Sequence, residues 1–181
     1  MAYIDDHACY TGEVGKNLTR ELLSKKVFKR VILLGRRTVD LDKDLVQAAN
    51  AEQVQIDFDN IEQHKHVFDG AEVGFCCLGT TKGRSGKEGF IKVDHDYVVN
   101  TAKAAKESVT ERKVDQARRL EYCCSNIQCP VPTVASVPVS TVAKAMIANL
   151  WKEQPENGVE FISNSAIHKM GDDYNKMFEA K

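Results

Sequence analysis

No apolar run in this 181-residue sequence is long enough to cross a bilayer, and its first residues, MAYIDDHACY, have neither the basic stretch nor the long apolar segment of a secretory leader. An excess of positive charge is missing too. The 25 Lys and Arg stand against 26 Asp and Glu, so nothing points to nucleic acid bound through its phosphates. Six cysteines are few for a disulfide scaffold of this length, and four of them form the adjacent pairs Cys76/Cys77 and Cys123/Cys124. No paired C-x-x-C knuckles support zinc at Cys123, Cys124 and Cys129, and His64 and His66 lie in a polar segment without a third ligand at recognisable spacing. Repeats and low-complexity tracts are absent. The expectation is a soluble, intracellular protein with reduced thiols and no metal site.

What is present is a core: 43% of the residues are apolar and no compositional break divides them, so one domain over residues 1–181 is expected. Val73-Gly74-Phe75-Cys76-Cys77-Leu78 is a short, nearly continuous apolar run of the kind buried on both faces of a parallel sheet, and Gly79-Thr80-Thr81 ends it. After a glycine-punctuated loop, Phe90, Val93, Tyr97, Thr101 and Ala104 recur at helical spacing. Strand, small-residue turn and helix make half of a βαβ unit. Lys82, Arg84 and Lys87 in the loop are read as solvent-facing. Asp94, His95 and Asp96 are discounted as a catalytic cluster because neighbours on a helix point in different directions.

Upstream, Thr11-Gly12-Glu13-Val14-Gly15-Lys16 opens a helix carrying Leu18, Leu22 and Leu23. Such a turn can place backbone N–H groups and a helix N-terminus around a pyrophosphate, or it can be an ordinary glycine turn; the pattern alone fits both. Context favours the first. Val31-Ile32-Leu33-Leu34 is a strand running into Gly35-Arg36-Arg37, and Arg36 lies 21 residues after Gly15, close to the roughly 20 expected for the residue that reads the adenosine ribose. An acidic residue there suits NAD, whereas arginine suits a 2′-phosphate, so NADP(H) is expected. Residues 40–50 read as a charged connection and Val54–Phe58 as a third strand. Asp57-Phe58 at its end either borders an adenine or simply forms a turn.

Beyond Lys106 the pattern weakens. Thr110 to Tyr122 reads as a charged segment that can be helical, the following cysteine- and proline-containing stretch has no apolar strand, and order resumes at Val137, with Ser140 placed to cap a helix through Val142, Met146 and Leu150. Val159–Ile162 alternates as a late strand. The chain is thus divided into a dinucleotide-binding part (1–107), an irregular junction (108–136) and a C-terminal part (137–181).

The run GFCCLGTTKGRSGKEGFIKVDHDYV, with LLGRR, TGEVGK, SVPVSTVAKAM and ISNSAIHKMG, resembles the Tat-interacting protein family of atypical short-chain dehydrogenase/reductases. The resemblance covers roughly Thr11 to Lys106 and Val137 to Gly171. It implies an α/β fold, a Rossmann-like parallel sheet with flanking helices, and NADPH as cofactor. It also implies a cytoplasmic protein, found at the nuclear envelope too, that is linked to apoptosis, growth (tumour) suppression and importin-dependent nuclear import. By position, Thr11, Gly12, Glu13 and Val14 would hold the pyrophosphate, Arg36 and Arg37 the 2′-phosphate, and Leu78 and Gly79 the ribose and nicotinamide side.

Three departures accompany the resemblance. Cys9 and Tyr10 stand where the family has glycine and a small residue. The family's first strand aligns with Asp5-Asp6-His7-Ala8, whose carboxylates would be costly at the centre of a sheet, so that strand is expected to be missing. The family's fifth strand and its Tyr-x-x-x-Lys helix are expected to be missing as well: Tyr97 and Tyr122 are followed four residues on by Thr101 and Asn126, not lysine. An incomplete fold, a truncated isoform without catalytic residues, is the expectation. Its alternative is a non-enzymatic protein that binds import factors or transcription regulators.

Overall fold

In a computed structural model, which describes residues 2–5, 12–110, 119–122, 137–153 and 160–179, the chain divides into two compact units, Met1–Asn126 and Ile127–Lys181. The division falls inside the stretch read as an irregular junction. The first unit holds β1 (Ala2–Asp5), α1 (Glu13–Lys25), β2 (Val31–Gly35), α2 (Lys43–Ala48), β3 (Ala51–Gln55), β4 (Val73–Cys76), α3 (Lys82–Ile91), α4 (Val98–Thr110) and β5 (Arg119–Tyr122). Its five strands run in the order β3-β2-β1-β4-β5, every neighbouring pair parallel. This is the Rossmann-like sheet with flanking helices that the sequence implies.

Two strands expected to be missing are present. The central place is taken by β1, which pairs Ala2, Tyr3 and Ile4 with Val31, Ile32 and Leu33 on one side and reaches Cys76 through Asp5 on the other. Its first three residues are small or apolar, and the one carboxylate, Asp5, is the last residue of the strand. The fifth strand is also there: Arg119–Tyr122 pairs with Val73–Cys76. It lies at the sheet edge, where a backbone ladder needs no apolar run and charged residues are common.

All five residues of β2 are buried. On one face Ile32 and Leu34 join Cys76 and Leu78, Phe58, Ile61 and Phe68 of a 3-10 helix (Phe58–Phe68), and Val93, Tyr97, Ala104 and Ala105 beyond it. By strand alternation Leu33 and Phe75, both fully buried, take the other face, where Phe28 meets Phe75 edge-on at 6.2 Å. Of the helical stripe expected at Phe90, Val93, Tyr97, Thr101 and Ala104, the last four are buried as read and Phe90 is half-buried. Its helix is not uniform: Gly86, at φ 69° and ψ 179°, breaks α3 in a conformation open to glycine alone, and Lys92–Tyr97 is a π-turn between α3 and α4.

The third strand lies three residues earlier than read. Asp57 accepts a hydrogen bond from the N–H of Asp59 at 3.0 Å and caps the 3-10 helix, which draws Phe58 out of the sheet and into the core. Residues 40–50 contain α2, capped by Asp42, whose Oδ1 accepts from the N–H groups of Asp44 and Leu45.

In the second unit α5 (Val139–Ala148) packs on α6 (Asn164–Glu179). The helix α5 starts one residue before Ser140, with Pro138 at the cap position, so Ser140 lies within the helix and not at its cap. A Cβ added at Gly171 would meet Thr141 Cγ2 at 2.7 Å, which shows how closely the two helices approach. Residues 160–163 form no strand, and Phe161 is 96% exposed.

Candidate dinucleotide site

Because β2, β1 and β4 are adjacent and parallel, their carboxyl ends share one edge of the sheet. Ligands of doubly wound sheets bind at this edge. Gly12, Glu13 and Val14 stand at the N-terminus of α1, Arg36 and Arg37 follow β2, and Leu78 and Gly79 follow β4. The topology places the strand ends that Arg36, Arg37, Leu78 and Gly79 follow at one edge. Thr11 lies outside the described residues.

Gly12 is the residue before α1, extended at φ −78° and ψ 167°, and among the described residues no side chain caps the helix. First-turn N–H groups that lack an acceptor among the described residues suit an anion. Glu13 contributes its backbone only: its carboxylate is exposed and pairs with Lys16 at 3.2 Å. Arg36 and Arg37 are both exposed, and the Arg36 guanidinium has no partner among the described residues. Leu78 and Gly79 are buried, so they offer a wall and a backbone rather than a polar contact.

Three residues passed over in the sequence hold this edge in shape. Asp94 Oδ2 accepts the N–H of Thr80 at 2.8 Å and fixes the turn after β4. Burial raises its carboxyl pKa from the ordinary 3.8, against the lowering effect of that hydrogen bond. His95 and Asp96, by contrast, are exposed and pair with each other at 2.8 Å. On the other side Gln53 accepts the N–H of Val39 and donates to its carbonyl, both at 2.9 Å, and Gln55 donates to the Arg36 carbonyl at 2.9 Å. The available signal was alternation: Gln53 and Gln55 are polar residues two apart on a strand. Phe58 is 1% exposed and stacks on Tyr97 at 5.5 Å, so it offers no open face to an adenine, and Asp57 is the turn former.

Tyr97 is not placed as a proton donor. It is 7% exposed, burial pushes its phenol pKa up, and its near neighbours are Lys92 and Asp59, themselves paired at 2.7 Å.

A family model described as NAD(P)H-binding matches residues 11–115. The chain belongs to this family. It is 42% identical over 96 residues to Protein HTATIP2 of Rattus norvegicus, a match covering 53% of this chain and 39% of the relative. The chain thus aligns with well under half of that relative's length. Among solved structures, uronate dehydrogenase from Agrobacterium tumefaciens, as a tyrosine-to-alanine mutant complexed with NAD, matches with a TM-score of 0.51 and 17% identity over 82% of this chain and 54% of that one. The enzyme without the mutation matches equally well. These two likenesses concern the fold. Together with the family match, the HTATIP2 relationship makes this an NAD(P)H-binding protein of an oxidoreductase family. The glycine-started helix and the exposed arginines at the strand edge are suited to the cofactor's phosphates.

Proposed function

We propose that this chain binds NADPH in preference to NADH and acts as a regulatory protein with little or no turnover of the cofactor. The observation that carries the preference is the position of Arg36 and Arg37, exposed directly after β2, where the adenosine ribose of a dinucleotide lies in this fold. A 2′-phosphate there meets two guanidinium groups. The absence of catalysis rests on the side chains near the edge. Tyr97 is buried and is followed by Thr101, not by the lysine that would lower a tyrosine's pKa.

The regulatory side of the proposal rests on the resemblance to the Tat-interacting proteins. On that reading the protein acts in the cytoplasm and at the nuclear envelope, with an importin-type factor as partner and with apoptosis and growth suppression as the processes affected. Two assays test the reading. Calorimetric titration should give a tighter Kd for NADPH than for NADH, with the difference lost in R36A/R37A. Purified protein should oxidise NADPH with carbonyl substrates no faster than that double variant. Equal affinity for the two cofactors, or turnover well above the variant, would defeat it.

A further inference from the structure

The loop from Arg36 to Asp42, between β2 and the start of α2, has no strand partner of its own among the described residues. It is nevertheless held at three points from one side. Gln53 meets both backbone polar groups of Val39 at 2.9 Å, the same pair of bonds a strand residue would offer, and Gln55 holds the carbonyl of Arg36 at 2.9 Å. The ladder itself ends just before, where the Ile56 N–H donates to the Gly35 carbonyl at 2.8 Å. Being two apart, Gln53 and Gln55 share one face of β3, the edge strand.

We propose that Gln53 and Gln55 are positioning residues for coenzyme choice, orienting the loop so that Arg36 and Arg37 are presented to the adenosine 2′-phosphate. This rests on the reading of those arginines as the 2′-phosphate site. Two physical points support it. An exposed loop bearing two long side chains loses backbone entropy when it closes on a phosphate, and bonds already made in the free protein remove much of that cost. The amides also hold the backbone without charge. A carboxylate at either position would compete with the phosphate for the guanidinium groups; a glutamine does not.

The test is calorimetric titration of the full chain with NADPH and with NADH, for wild type, R36A/R37A and Q53M/Q55M, the methionines keeping side-chain length without hydrogen bonds. The expected result is a wild-type preference for NADPH that falls about five- to tenfold in Q53M/Q55M, with the Kd for NADH unchanged. A wild-type ratio retained in Q53M/Q55M but lost in R36A/R37A overturns this inference and leaves the arginine reading standing. Equal weakening of both cofactors also overturns it, since the glutamines would then serve the fold alone. A wild type without preference overturns both. Should the double variant fail to fold, Gln55→Met carries the same comparison: it removes one bond at an exposed strand end, and an unchanged ratio there counts against the proposal.

Discussion

The loops leaving β2 and β4 sit at the same edge of the sheet and are held by opposite means. After β4 the chain stays inside the protein: Cys77, Leu78 and Gly79 are buried, and one carboxylate, Asp94, secures the turn. After β2 the chain is mostly exposed, and three uncharged hydrogen bonds from Gln53 and Gln55 do the holding. A buried turn is stabilised by packing and is sensitive to the cost of the charge that fixes it. An exposed loop has little packing to rely on and depends on direct bonds that are indifferent to pH.

The difference is broken most forcefully in the core. Leu78 is fully buried, so Leu78→Ala should lower unfolding free energy by about 2–5 kcal/mol, more than any single change between residues 36 and 39. Chemical denaturation measures this, and a loss under about 1 kcal/mol would mean that packing does not hold the β4 turn.

Asp94 comes next. Asp94→Ala strands the Thr80 N–H and should cost about 1–3 kcal/mol, while Asp94→Asn keeps an acceptor and should cost less. The sign of the pH dependence follows from the raised pKa. Folding raises the Asp94 pKa above its unfolded value of 3.8, so its contribution to stability is fully present below that value and is lost as pH rises through the shifted one. Asp94→Asn should therefore improve relative to wild type as pH rises from about 4, as followed by denaturant midpoints; the reverse trend would contradict the assignment of burial as the larger effect.

At the β2 loop, Gln53→Met should cost about 0.5–1.5 kcal/mol per bond removed, with no pH dependence over the same range. The smallest effect is expected at Thr101. Its hydroxyl is buried without a hydrogen-bond partner, so Thr101→Val should leave stability unchanged or raise it by up to about 1 kcal/mol.

The same contrast separates what could be read in the sequence from what could not. The buried elements announce themselves by pattern: the apolar runs of β2 and β4, the leucine stripe of α1 and the Val93-to-Ala104 stripe all follow from periodicity. The elements at the margins do not. The short strand β1 and the edge strand β5 are fixed by backbone pairing with β4, which leaves little mark on side-chain composition. The alternation around Phe161 looks like a strand, but no partner strand exists for residues 160–163 among the described residues. At the site, Gly12, Arg36 and Arg37 are legible because their roles follow from chain order in a known topology. Asp94, Gln53 and Gln55 act through single contacts with residues 14 to 19 positions away, and only the folded chain brings those partners together.

The most direct test of the central claim is a thermal-shift titration of the full chain with NADPH and NADH side by side. A ligand that binds only the folded state raises the melting temperature with concentration, so folding, binding and preference are read together. The account predicts a saturable rise with NADPH at lower concentrations than with NADH. A melting temperature unmoved by either cofactor would contradict it.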